Sequence, residues 1–203
     1  MFMERAIAKI IQILFHPLLI STMAMFILFR SNLYLAFIAE QLRQIVLMIT
    51  IATTCIIPLV FVIMFEIIKP YFKDKVKFPQ ESIIYLFTAT SYYVGYYFIS
   101  KMPLDGFFKA AFLSATLVIV ALSLISRQWK ISSHMTGVGA LAGSTIAIML
   151  RLGVFNFSFL SSVLIVGGLT GFSMLSLSKN NPAQVLAGYI LGFAVLFSVF
   201  TFI

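Results

Sequence analysis

Two short polar stretches contain most of the residues that could do chemistry, and each stands at the start of an apolar segment. The first runs from Lys130 to His134 and opens a glycine-rich segment. Ser132 or Ser133 is a good N-cap, and the free backbone N–H groups at a helix start attract anions. Lys130 adds a positive charge, and His134 could donate a proton to a leaving oxygen. This pattern predicts a phosphate site. A capped helix with a histidine at the membrane surface is the simpler interpretation and stays open.

The second stretch runs from Lys179 to Gln184, with the sequence KNNPAQ, and opens the last apolar segment. Lys179, Asn180 and Gln184 offer hydrogen bonds to phosphate oxygens, again at a helix start, where the peptide dipoles favour negative charge. The stretch contains neither a nucleophile nor a carboxylate. A polar turn between two membrane helices is the simpler interpretation here.

Other signatures of catalysis are missing from the sequence. The chain has no HExxH pattern, no clustered cysteines and histidines, no P-loop and no GxSxG, and Asp and Glu together number 6. The sequence therefore predicts no metal and no cofactor. His16 precedes Pro17 in an apolar run, where a polar group usually faces the bundle interior or water. It could pair with Glu66 or line a cavity, which leaves a small transporter or channel as a further alternative.

The composition excludes a soluble protein. Of the 203 residues, 62% are hydrophobic and 10% are charged, and a soluble domain cannot bury that much apolar surface. The net charge of +8 arises from cations in short loops beside apolar segments, where membrane topology and lipid headgroups explain them. We therefore expect membrane lipids, and not nucleic acid, as partners. The expected fold is an all-α transmembrane bundle, with one integral membrane domain over residues 1–203.

Seven apolar segments are close to the length of a membrane-crossing helix, which is about 20 residues. They cover residues 10–29, 45–68, 82–100, 107–126, 132–150, 158–177 and 183–203, so the bundle should have six to seven spans. Short connectors make neighbouring spans antiparallel, which puts the loops at 69–81, 127–134 and 178–184 on one side of the membrane. A site assembled from these three loops is therefore possible.

Small residues and prolines predict how the spans pack. Glycines spaced by four residues let helix backbones approach closely in lipid, and the last three spans each have such a pair: Gly139 and Gly143, Gly167 and Gly171, Gly188 and Gly192. Pro17 and Pro58 predict kinks, and Pro182 is favourable in the first turn of the last helix. The tyrosines of the third span, from Tyr92 to Tyr97, are expected to form an interfacial aromatic belt.

Five stretches of the chain resemble the type 2 phosphatidic acid phosphatase superfamily, in its short all-membrane branch of Bacteroidetes type. They are FHPLLIST at 15–22, SNLYLAF at 31–37, WKISSHMTGVGAL at 129–141, RLG at 151–153 and NPAQVLAGYILG at 181–192. The resemblance implies a helical bundle in the bacterial inner membrane with a metal-independent phosphatase site. That site is built from the motifs KxxxxxxRP, PSGH and SRxxxxxHxxxD. One histidine attacks phosphorus, the aspartate orients it, and the other histidine protonates the leaving alcohol.

When these motifs are aligned with the chain, most of their catalytic residue types are replaced by others. PSGH falls on residues 131–134 and keeps its serine as Ser132 and its histidine as His134. In the third motif, Met174 stands at the arginine position, Asn180 at the nucleophile position and Gln184 at the aspartate position.

The first motif is anchored only by Pro79. Counting back from it, Phe78 takes the arginine position and Tyr71 the lysine position, with Lys73, Lys75 and Lys77 nearby. This lysine-rich loop would solvate a helix end beside anionic lipid, or act as a substrate clamp.

Asparagine cannot become a phosphohistidine, and methionine cannot hold a phosphoryl oxygen. We therefore predict a phosphatidic acid phosphatase-like membrane protein with a degenerate, noncatalytic site. It would bind a phosphorylated lipid or polyprenyl headgroup, or serve as a subunit of a membrane complex. The site residues would be His134, as a remnant acid or base, with Lys130, Ser132, Ser133, Lys179, Asn180 and Gln184. An active lipid-phosphate or polyprenyl-pyrophosphate phosphatase with another nucleophile is the alternative that stays open.

Overall fold

The computed structural model of the chain describes residues 2–30, 37–72 and 80–202, and within these ranges it is helical without any strand. The helices are α1 (Phe2–Leu14), α2 (Pro17–Arg30), α3 (Glu40–Ile51), α4 (Ile57–Phe72), α5 (Gln80–Ser100), α6 (Gly106–Ile125), α7 (Ser133–Leu152), α8 (Phe157–Ser176) and α9 (Pro182–Phe202). A π-helical segment, Ala52–Ile56, joins α3 to α4. The prediction of an all-α fold is confirmed.

The described helices include five to six candidates for membrane crossing, against the six to seven spans predicted. Five of the described helices are long and apolar enough to cross a bilayer: Glu40–Ile68, Gly106–Ile125, Ser133–Leu152, Phe157–Ser176 and Pro182–Phe202. The bent pair of α1 and α2 raises the number to six if the pair is one span. The tyrosines and hydroxyl residues of α5 make it more polar than these five, so its role as a span stays a prediction.

The first predicted span, over residues 10–29, is divided into two helices that meet at an angle of 60°. The break falls at Phe15 and His16, directly before Pro17. A proline has no N–H for the helical ladder, and its ring clashes with the carbonyl four residues earlier. Pro17 instead occupies the first position of α2, where its lost N–H costs nothing. The kink predicted at Pro17 is confirmed, and the single continuous span is wrong.

The contacts divide the chain into two compact units. Unit 1 comprises Met1–Ile20 and Lys130–Ile203, and unit 2 comprises Ser21–Trp129. All of the site residues predicted at the starts of α7 and α9 belong to unit 1. The prediction of one membrane domain over the whole chain stays a prediction.

In unit 1, α7 and α9 are parallel and touch along their backbones. A Cβ at Gly139 or Gly143 would overlap the carbonyl of Tyr189 or Phe193, and a Cβ at Gly192 would overlap the carbonyl of Thr136. These contacts confirm the close packing that the glycine pairs of α7 and α9 predict. The pair on α8 is different, because a Cβ at residue 167 or 171 would meet only side chains, at 3.6–3.8 Å. For α8 the predicted close approach is therefore wrong.

In unit 2, a π-helical segment precedes Pro58, and the kink predicted at this proline stays a prediction. The N–H of Ile57 donates to the carbonyl of Ala52, five residues back, so it does not serve the carbonyl of Thr53. In the π-helical register the next donor for the Thr53 carbonyl would be residue 58, but Pro58 has no N–H. The Thr53 carbonyl accepts a hydrogen bond from Ser91 Oγ on α5 instead, at 2.5 Å. Helix Glu40–Ile68 therefore stays continuous through the proline.

A cluster of buried hydroxyl groups lies beside this segment. The Tyr92 hydroxyl and Ser21 Oγ are 2.9 Å apart, and the Oγ1 atoms of Thr22 and Thr54 are 3.0 Å apart. Tyr92 is only 3% exposed. Its ring is therefore an internal bridge between helices, and its predicted place in an aromatic belt is wrong.

Candidate functional site

The start of α7 is fixed by Ser132, which acts as its N-cap. Ser132 Oγ accepts a hydrogen bond from Met135 N at 3.4 Å, and Ser132 N donates to the carbonyl of Gln184 at 3.3 Å. Ser132 is buried, so its hydroxyl serves the helix and does not face a ligand. Ser133, the first residue of α7, is half-buried, and Lys130 is exposed in the connector before it.

The start of α9 is fixed by a capping box. Gln184 N donates to Asn181 Oδ1 at 2.9 Å, and Asn181 N donates to Gln184 Oε1 at 2.9 Å. Asn180 Nδ2 also donates to Gln184 Oε1, at 3.4 Å. The amide oxygen of Gln184, predicted as part of the phosphate site, is therefore engaged in holding the helix start. Because α7 and α9 are parallel, their N-terminal ends lie side by side.

The two histidines of the chain are in contact, although 118 positions of sequence separate His16 and His134. Their ring centroids are 5.2 Å apart and the rings meet edge to face, at 84°. His134 is the second residue of α7, and His16 lies at the break before α2. His16 is not among the site residues predicted from the sequence. The signal for a role of His16 is its polar side chain within an apolar run. The sequence does not show that His134 is the residue it contacts.

Hydrogen bonds indicate where each neutral histidine carries its proton. Leu18 N donates to His16 Nδ1 at 3.4 Å, which places the His16 proton on Nε2. The carbonyl of Gln12 lies within hydrogen-bonding reach of the His134 ring. His134 Nε2 is buried and has no partner among the residues that the structure describes. We assign the His134 proton to Nδ1, as the nitrogen that serves the Gln12 carbonyl, because Nε2 has no partner; Nε2 is then a buried lone pair that lacks a hydrogen-bond donor.

Lys179 completes the cluster. Its Nζ donates to Gln12 Oε1 at 2.9 Å, and its charge acts on both His16 and His134. The lysine and the two adjacent helix starts make this end of unit 1 positive, which favours an anion over a cation. The described residues contain no group of three or more potential metal ligands. Glu4, about two helical turns before Gln12 on α1, accepts a hydrogen bond from Ser176 at 3.4 Å.

The positions named by the family resemblance are only partly in this cluster. Met174, at the arginine position, is buried against Met135 and Val185 and cannot reach a ligand. Asn180 is half-buried beside Gln184. The predicted lysine clamp and Phe78 lie in residues 73–79, outside the described residues, and so does the side chain of Tyr71.

Comparison of the chain with protein-family models, with curated proteins and with solved structures found no match. The resemblance to the type 2 phosphatidic acid phosphatase superfamily therefore rests on its motifs alone and stays a prediction.

Proposed function

We propose that this is an integral membrane protein that binds the phosphorylated headgroup of a lipid at the cluster of His16, His134 and Lys179, without hydrolysing it. The observation that carries the proposal is the buried Nε2 of His134, which lacks a donor in a positively charged surrounding. An unpaired buried polar atom costs stability, so it marks a place where a ligand would supply the missing hydrogen bond.

The pattern of donors and acceptors favours a phosphomonoester. His16 Nε2–H and the Lys179 ammonium group can donate to phosphate oxygens, whereas His134 Nε2 needs a donor. The second pKa of a phosphomonoester is about 6. Its monoanion still carries a P–OH group, and this group can donate a hydrogen bond to His134 Nε2. A phosphodiester such as phosphatidylglycerol has no such proton. Phosphatidic acid and polyprenyl phosphates are therefore the lipids that this cluster fits.

The same geometry argues against turnover. Phosphoryl transfer requires phosphorus to lie between the attacking atom and the leaving oxygen. His16 and His134 are in direct ring contact, which leaves no room for a phosphoryl group between them. Asn180, at the aligned position of the nucleophile, cannot form a covalent phosphohistidine.

A second candidate function, a lipid-phosphate or polyprenyl-pyrophosphate phosphatase, is supported by the pairing of the two histidines. The His134 lone pair could act as a nucleophile or base, and His16 Nε2–H could protonate the leaving oxygen. The rings would first have to move apart to admit the phosphoryl group.

Binding to phosphatidic acid and to phosphatidylglycerol, in nanodiscs of otherwise neutral lipid, tests the proposal. Both lipids are anionic, so general attraction to charge cannot separate them. We expect preference for phosphatidic acid, and a loss of about 10- to 100-fold in His134→Asn and in Lys179→Gln, since each removes one charge-assisted or buried hydrogen bond.

The matched control is Lys101→Gln, because Lys101 is an exposed lysine of unit 2 that lies over the Tyr97 ring. Equal binding of the two lipids, or unchanged affinity in His134→Asn, would contradict the proposal. Phosphate release from phosphatidic acid that disappears in both His16→Asn and His134→Asn would establish the phosphatase instead.

The bacterial inner membrane is the location that the family resemblance implies, and we propose it for this protein. Five apolar helices support membrane integration but do not distinguish one membrane from another. Fractionation of inner and outer membranes from the source cell would test the assignment.

A further inference from the structure

Helix α1 has two faces of opposite character. With 13 residues it is about 20 Å long, too short to cross a bilayer alone. One face carries Glu4, Arg5, Lys9 and Gln12, while the opposite face carries a row of exposed apolar side chains: Ile7, Ile10, Ile13 and Leu14. This separation of polar and apolar faces, with basic residues on the polar one, is typical of helices that lie in the membrane interface.

The polar face of α1 is the one that contacts the protein. Ala8 is fully buried, and its carbonyl accepts a hydrogen bond from Ser173 Oγ at 2.7 Å. Glu4 and Gln12, one turn before and one turn after it, accept hydrogen bonds from Ser176 and Lys179. The apolar face is thus directed away from unit 1. In a membrane protein, lipid is the surrounding that such a face fits.

The partners of α1 lie at helix ends. Its contacts with Ser173 and Ser176 fall in the last turn of α8, and its far end brings His16 against His134 in the first turn of α7. Glu4 and Gln12 are about 12 Å apart along the axis of α1, yet both meet residues at the same end of α8: Ser176, its last residue, and Lys179, three residues beyond it. Helix α1 therefore passes across the end of α8 and does not run along it.

From these contacts we infer that α1 lies in the plane of the membrane interface, at the level where α8 ends and α7 begins, and is not the first half of a span. Its apolar face enters the acyl chains of the lipid. Arg5 and Lys9, both exposed, lie at the edge of that face, where they contact headgroup phosphates. This inference does not depend on the proposed headgroup site.

Depth measurements on the full chain in lipid vesicles test the inference. Cys55→Ala removes the lone cysteine. In that background, four variants each carry one new cysteine with a nitroxide label, and they are compared in two pairs: positions 7 and 14, and positions 6 and 13. Each pair is seven residues apart, on nearly the same side of the helix, so its depth difference reports only the tilt of the axis. The native residues at these four positions are exposed, so labels there disturb no packing. If one variant does not fold, the other pair is sufficient for the test.

The two orientations predict different depth profiles from nitroxide accessibility to oxygen and to a water-soluble nickel complex. For α1 in the interface plane, the two labels of a pair should differ by less than about 3 Å. For an upright helix they should differ by about 10 Å, the rise of seven residues. A difference above about 3 Å in either pair would overturn the inference.

Discussion

The contact between α7 and α9 in unit 1 and the contacts of α5 with Thr53 and Ser21 in unit 2 are of different kinds. In unit 1, glycines bring the backbones of α7 and α9 into direct contact. In unit 2, hydroxyl groups bridge between helices, with Ser91 bonded to Thr53 and Tyr92 bonded to Ser21. Water cannot drive helix association inside lipid, so either close backbone packing or interhelical hydrogen bonds must do so. The α7–α9 contact should therefore be sensitive to side-chain volume, and the hydroxyl bridges of unit 2 to the loss of single hydrogen bonds.

The largest effect is expected where a side chain is added to the α7–α9 contact. Gly192→Ala places a methyl group against the carbonyl of Thr136, and a backbone cannot move aside as a flexible side chain can. We expect a loss of about 3 kcal/mol in the free energy of unfolding, at the upper end for overpacked sites. Detergent-induced unfolding followed by circular dichroism would measure it.

Gly168→Ala is the matched control for this prediction, because a Cβ at Gly168 meets nothing within 4 Å. Removing a helical glycine should then stabilise the protein by about 0.5–1 kcal/mol. Equal effects of the two substitutions would show that the α7–α9 contact is looser than described.

A smaller effect is expected in unit 2 from Ser91→Ala. This change leaves the carbonyl of Thr53 without a donor beside Pro58, which should cost about 1–2 kcal/mol of unfolding free energy. Thr90→Ala is the matched control, because the exposed Thr90 hydroxyl donates only within its own helix; its effect should be below about 0.5 kcal/mol.

The π-helical segment allows a sharper version of that experiment. Pro58→Ala restores a backbone N–H at residue 58. This N–H can donate to the Thr53 carbonyl, which has no backbone donor in the native protein. The cost of Ser91→Ala should therefore be smaller in the Pro58→Ala background than in the native protein. An undiminished cost would mean that Ser91 stabilises unit 2 in some other way.

The smallest effect concerns Tyr92 and Ser21. A double-mutant cycle with Tyr92→Phe and Ser21→Ala should give a coupling free energy of about 0.6 kcal/mol, the usual value for a hydrogen bond between membrane helices. Tyr97→Phe, at an exposed tyrosine of the same helix, should show no coupling with Ser21→Ala. If Tyr92→Phe and Tyr97→Phe showed similar coupling to Ser21→Ala, the hydrogen bond between the Tyr92 hydroxyl and Ser21 would not be what stabilises this helix contact.

Local patterns predicted what is local in this fold. The break at Pro17, the helix starts near Ser132 and Pro182, and the small-residue face of α7 all follow from backbone sterics and packing in lipid. The capping box of Asn181 and Gln184 was also readable from its spacing. The predicted phosphate site takes Gln184 from this pair, because amides at a helix start can also donate to phosphate oxygens.

Long-range partners could not be predicted from the sequence. His16 meets His134 because the break after α1 packs against the start of α7, and no periodicity within residues 10–29 contains that information. Tyr92 was expected at the membrane surface because tyrosines are frequent there, but its hydroxyl finds a partner inside. The π-helical turn before Pro58 likewise depends on a donor from Ser91, on a different helix.

The parallel arrangement of α7 and α9 also sets an order of events during synthesis. Helix α7 begins at Ser133 and α9 at Pro182, so the ribosome must complete all of α8 before the glycine surface of α7 can be covered. At roughly 5–20 residues per second, that surface faces lipid or the insertion machinery for several seconds. The contact between Ser132 and Gln184 forms only after that delay, so a nascent chain stalled within α8 carries His16 and His134 but lacks the second helix start of the cluster.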